Sequence, residues 1–103
     1  MTRVVAFVDD LMDRSKLSAA VPQCEFVRTA AECDGAEVVV VDLARHADAV
    51  AAIRAAAPAA RLVAFGPHVD DRLLAAARAD GADVVLARSQ FFRSPSAAVI
   101  GEI

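Results

Sequence analysis

The sequence has no tyrosine, only two cysteines, four glycines that stand alone and no cluster of lysine or arginine. Each shortage removes a class of function. Cys24 and Cys33 are separated by eight residues with no second pair, which matches neither a zinc spacing nor a disulfide framework, so both read as packed thiols. Gly35, Gly66, Gly81 and Gly101 are too scattered to build a glycine-rich phosphate loop or a dinucleotide fingerprint. A formal net charge of −3 with no basic cluster gives no attraction to a phosphate backbone, and nucleic acid is not an expected partner. No apolar run approaches the roughly 20 residues that span a bilayer, so no membrane partner is expected either. The acidic pair Asp9-Asp10 interrupts any signal-peptide core near the start, which points to a cytoplasmic protein.

What is present is apolar and ordered. Apolar residues make up 57% of the chain, alanine supplying much of that, and a length of 103 residues suits one domain over residues 1–103. Five short runs rich in β-branched residues, 4–8, 24–27, 38–41, 62–65 and 84–86, alternate with alanine-rich segments of helical spacing. That alternation predicts βαβ units and a parallel sheet. Three of the runs are continuously apolar, as strands covered on both faces are.

The helical segments carry their own stops and starts. Leu17, Ala20 and Val21 share a face in the first, closed by Pro22. Thr29 and Glu32 have capping-box spacing before a very short second helix that ends near Gly35. Val50 and Ile53 line the third, stopped by Pro58. Asp70 is the expected N-cap of the fourth, Leu73, Leu74 and Ala77 its apolar stripe, and Gly81 its C′ residue. Ser94-Pro95 is placed to start a last, short helix.

In an open parallel α/β sheet, ligands bind beyond the carboxyl ends of the strands. Those ends carry Asp9-Asp10 after the first strand, Asp42 in VVVVDL (38–43) after the third, His68 and Asp70 after the fourth, and Arg88 after the fifth. If the first and third strands are neighbours, three carboxylates converge, and their repulsion calls for a proton or a cation. Magnesium is the natural cation, because it accepts one or two carboxylates plus water. An aspartate beside such a metal can attack phosphorus and form an acyl phosphate, whose charge Arg88 would partly neutralise. The plainer reading of Asp42 is a carboxylate that satisfies loop amides at the end of a strand. His46 and His68 lack a partner at diagnostic spacing and read as surface histidines.

The order of these motifs resembles the receiver domain of bacterial response regulators over about residues 3 to 92. FVDDLMDRSKL resembles the acidic-pair segment, VVVVDL the phosphoacceptor segment, LVAFGPHVDD the fourth strand with its loop, and LLAAARADGADVVLARS the stretch before and around the family's cation. The resemblance implies a doubly wound five-stranded parallel sheet of order 2-1-3-4-5 with shortened second and last helices. It also implies a magnesium site at Asp9, Asp10 and Asp42, with Asp42 the phosphoacceptor and Gly66, Pro67 and Arg88 facing the phosphoryl group.

The departures from that family fall on the switch. Gly66 stands where a hydroxyl is usual, Pro67 has no N–H to give, Arg88 replaces a lysine, Val85 replaces the switch aromatic, and Ser89 replaces a proline. Charge-assisted hydrogen bonds contribute roughly 1.5–3 kcal/mol each, so losing two removes much of what phosphorylation would use to shift a conformation. The expectation is a stand-alone atypical receiver, a signalling module without enzymatic turnover that acts through a protein partner or a second copy of itself. Its family-type output surface would present Arg72, Arg78, Phe91 and Phe92, although core closure is the more usual role for two such phenylalanines. The alternative is a magnesium-dependent phosphoacceptor that takes phosphate on Asp42 from a small donor or a histidine kinase.

Overall fold

The computed structural model describes residues 2–67 and 70–101. Five strands, β1 (Val4–Phe7), β2 (Glu25–Phe26), β3 (Val38–Asp42), β4 (Arg61–Gly66) and β5 (Val84–Ala87), form one parallel sheet of order β2-β1-β3-β4-β5. The centre is the β1–β3–β4 trio, in register as Val5, Val39 and Leu62 and again as Ala6, Val40 and Val63.

Side chains alternate across the pleat, so each apolar run feeds two cores. On one face Val5, Phe7, Val39, Val41, Leu62 and Ala64 pack with Val50, Ile53 and Ala77. These last belong to α3 (Val50–Ala56) and α4 (Asp71–Ala79). On the other face Val4, Ala6, Val40, Val63 and Phe65 pack with Leu17, Phe91, Ala98 and Val99. These come from α1 (Leu11–Ala20), α5 (Arg88–Arg93) and α6 (Pro95–Ile100). Every residue of β3 is buried, which is why the run reads as continuously apolar rather than alternating. Fully burying one such valine contributes roughly 1.5–3 kcal/mol, and a charge in place of Val40 would have no partner on either side.

The local signals act where expected. Val21 closes α1 by donating its N–H to Leu17 O at 2.8 Å, and Pro22 follows. Glu32 Oε1 accepts from the Thr29 N–H at 3.1 Å and the Thr29 hydroxyl at 2.9 Å, at the start of a single 3-10 turn, Ala30–Cys33. The Asp70 carboxylate caps α4 by accepting from the Leu73 N–H at 3.0 Å. Gly81 leaves α4 with φ of +117°, in the left-handed region that favours glycine.

Two features differ from the sequence reading. A four-residue helix, α2 (Leu43–His46), starts directly on the end of β3 and continues through a 3-10 turn (Ala47–Ala49) into α3. The last short helix starts at Ser94-Pro95 as expected, with Pro95 at N1, but a further helix, α5 (Arg88–Arg93), stands between it and β5. Of the two roles open to the phenylalanines, core closure is the one they take. Phe91 is fully buried and stacks on Phe65 with ring centroids 4.7 Å apart, while the half-buried Phe92 meets Phe65 edge-on at 5.1 Å. No helix among the described residues is long and apolar enough to cross a membrane.

Candidate functional site

The carboxyl edge of β1, β3, β4 and β5 gathers most of the charge that the sequence places there. Asp10 is the N-cap of α1, its Oδ1 accepting from the Asp13 N–H at 3.0 Å, and that bond holds its carboxyl below the ordinary range. Asp9 Oδ2 lies 2.9 Å from His46 Nε2, and the imidazole sits edge-on over Phe7 with ring centroids 5.3 Å apart. Asp42 is 4% exposed and ends β3 as the N-cap of α2, its Oδ1 accepting from the Ala44 N–H at 3.0 Å.

A fourth carboxylate, unassigned by sequence reasoning, organises the site. Asp13 is 1% exposed and receives both arms of the Arg88 fork: Arg88 Nη1 donates to Asp13 Oδ2 at 2.7 Å and Arg88 Nη2 donates to Asp13 Oδ1. A bidentate guanidinium–carboxylate pair of this kind is both strong and directional. Aromatic rings hold the guanidinium from the side, its carbon lying 4.9 Å from the Phe92 centroid and 5.9 Å from that of Phe65. The pairing with Asp13 raises the Arg88 pKa further, so the cation is permanent. The signal for Asp13 was available: it lies one turn before Leu17, on the stripe that α1 turns to the core.

Burial pushes the Asp42 carboxyl upward; the Ala44 N–H lowers it, Asp13 raises it, and Arg88 and His46 lower it. The like charge that acts on Asp42 is Asp13, and Arg88 acts on both carboxylates as their shared counter-charge. Asp9, Asp10 and Asp42 do not converge as the sequence suggested. Among the described residues no group of three or more histidine, cysteine or acidic side chains is placed to hold a metal ion. The reason is local: Asp10 turns back to cap α1, Asp42 caps α2, and Asp9 faces His46. As arranged, these three side chains do not fit a divalent cation. His68 lies outside the described residues.

No protein-family model and no curated protein matches the chain. Solved structures do. A response regulator from Burkholderia pseudomallei, described with a phosphorylated aspartic acid, calcium ion and citrate, superposes with a TM-score of 0.80 at 18% identity, over 96% of this chain and 66% of its own. A response regulator from Hahella chejuensis gives 0.77 at 18% identity, over 98% of this chain and 93% of its own. A CheY-like protein, tadZ, from Pseudomonas aeruginosa gives 0.74 at 17% identity, over 99% and 96%. The fold is that of response-regulator receiver domains.

The end of β4 at Gly66, where the resemblance stated above leads one to expect a hydroxyl, is filled in this chain by packing. A Cβ added at Gly66 would lie 3.2 Å from Leu43 Cβ and 3.3 Å from Leu74 Cδ2, tighter than ordinary contact. Glycine at this position lets α2 and α4 close over the end of β4. Pro67 follows with no N–H, and Gly66 has no side-chain donor, so the only N–H or O–H the two positions carry is the Gly66 backbone N–H.

Proposed function

We propose that this chain is an atypical receiver-like signalling module that works through contact with a protein partner or a second copy of itself, without phosphorylation switching at Asp42. The observation that carries the reading is the bidentate seating of Arg88 on the buried Asp13. The cation after β5 that would answer a phosphoryl group on Asp42 is already paired inside the chain. Gly66 adds no side-chain donor, Pro67 adds no N–H, and the Asp42 carboxylate serves as a helix cap. The largest exposed apolar side chains among the described residues, and so those open to a partner, are Leu11, Met12 and Ile100, not Phe91 and Phe92.

The test is an amide NMR titration with magnesium followed by beryllofluoride, which mimics a phosphoryl group on aspartate. The expected result is no change that reaches β5 and α4. Saturable shifts at Asp42 that spread to Arg88, β5 and α4 would establish a working phosphoacceptor and overturn the proposal.

A further inference from the structure

Beside the acidic edge, on the β2 side of the sheet, lies a cavity of about 420 Å³ lined by Asp9, Leu11, Arg14, Arg28 and His46. Its charge is unlike that of the chain as a whole. Two guanidinium groups enter it, Arg14 from α1 and Arg28 from the segment after β2, and only one carboxylate does. That carboxylate, Asp9, is engaged by His46 at 2.9 Å.

Arg14 is positioned in advance. Its Nε donates to Val8 O at 2.5 Å and its guanidinium carbon lies 5.0 Å from the Phe26 ring centroid, an arrangement that fixes the plane and leaves the two Nη groups unclaimed. Arg28 makes no side-chain hydrogen bond or close ion pair with another described residue, though its charge adds to the Thr29 hydroxyl in lowering the Glu32 carboxyl pKa. Its backbone N–H goes to Glu32 Oε1 at 3.3 Å, a carboxylate already shared with Thr29. Two like charges around one concavity repel each other unless an anion stands between them.

We infer that this cavity is a binding site for the phosphate group of a small phosphorylated molecule. Two guanidinium forks offer more donors than a single carboxylate can accept, whereas a phosphate monoester brings three strong acceptor oxygens and a charge near −2. Asp9 offsets one of the two guanidinium charges, so the pocket meets an arriving anion with a net positive charge. The volume lies within the range of small-ligand sites, and the exposed Leu11 provides an apolar wall for the rest of the molecule. The site adjoins Asp42 through His46, whose charge acts on the Asp42 carboxyl, but it holds its anion on Arg14 and Arg28.

The experiment is a ¹⁵N NMR titration of the whole chain at constant ionic strength with inorganic phosphate, then ribose 5-phosphate, and with succinate as a dicarboxylate control, reading the arginine side chains as well as the amides. Expected are saturable shifts at Arg14, Arg28 and His46, tighter binding of ribose 5-phosphate than of inorganic phosphate, and a roughly tenfold weaker affinity in Arg28→Gln. Arg28 is exposed, so that variant keeps the fold, and an unchanged amide spectrum elsewhere verifies this. Linear, unsaturable shifts would overturn the site. So would saturation unaffected by Arg28→Gln, and equal binding of succinate would overturn the assignment to phosphate. Shifts centred on Asp42 and Ala44 would place the anion at the acidic edge and likewise overturn it.

Discussion

Replacing Arg88 by alanine should be the most costly single change at this site, because it strands a buried carboxylate. Removing one partner of a fully buried pair typically costs 3–5 kcal/mol, the penalty of an uncompensated charge. Asp13 is on the buried side of that limit, but the Arg88 side chain is 47% exposed, so trimming it lets water approach the carboxylate. The expected loss is therefore about 2 kcal/mol, part of it the lost stacking on Phe92 and Phe65. With a urea m-value of about 1.5 kcal/mol per molar, the unfolding midpoint falls by about 1.3 M at unchanged slope. The double variant Asp13→Leu/Arg88→Met removes both charges while keeping apolar volume, and should recover to within about 1 kcal/mol of the parent. Equilibrium urea unfolding followed by circular dichroism reads both. A loss under about 0.5 kcal/mol in Arg88→Ala, or a double variant no more stable than the single one, would refute the claim that the pair is a coupled, buried element.

Two further expectations concern the strand ends. Burial holds the Asp42 carboxyl above its ordinary pKa of 3.8, so the folded chain holds that proton more tightly than the unfolded one. Its contribution to stability is then present at low pH and lost as pH climbs through the raised value. Asp42→Asn, which keeps an oxygen for the Ala44 N–H, should have the higher urea midpoint at pH 7, with the gain shrinking towards pH 4; a midpoint lowered at pH 7 would contradict this. Gly66→Thr restores the missing hydroxyl but pushes a Cβ against Leu43 and Leu74, and should cost about 1 kcal/mol. It should leave the response to beryllofluoride unchanged, and a gained response would show that the hydroxyl alone was lacking.

The sheet was legible because its signal is redundant. Each of β1, β3 and β4 is a run of apolar residues long enough to be covered on both faces, and capping residues such as Thr29, Asp70 and Gly81 mark the helices between them. The helix α2 was not legible, since one turn contains too few residues to show a period, and its only cap is the residue that the sequence put forward as reactive. Asp13 escaped for the opposite reason. An acidic residue early in a helix reads as a solvated group near a helix start; its place one turn before Leu17 marks the inward stripe, but the partner that makes it tolerable there, Arg88, stands 75 positions later in the chain. The position of Arg88 after β5 was read correctly, but its partner depends on side-chain reach, which spacing does not encode.

The charge arrangement bears directly on whether such a site can switch. Phosphorylation biases a conformation only through contacts that differ between two states, and coupling between sites in signalling proteins is typically about 1–3 kcal/mol. On the reading proposed above, a phosphoryl group on Asp42 that drew Arg88 away from Asp13 would meet the cost of stranding that carboxylate, which is part of the roughly 2 kcal/mol derived for Arg88→Ala and of the same order as the coupling. On that reading the strand-five cation is paired with an internal carboxylate in the resting fold and is less available to pull β5. On the β2 side, the site inferred above offers an anion the Nη groups of Arg14 and the guanidinium of Arg28, neither of which is held in a bidentate carboxylate pair like that of Arg88.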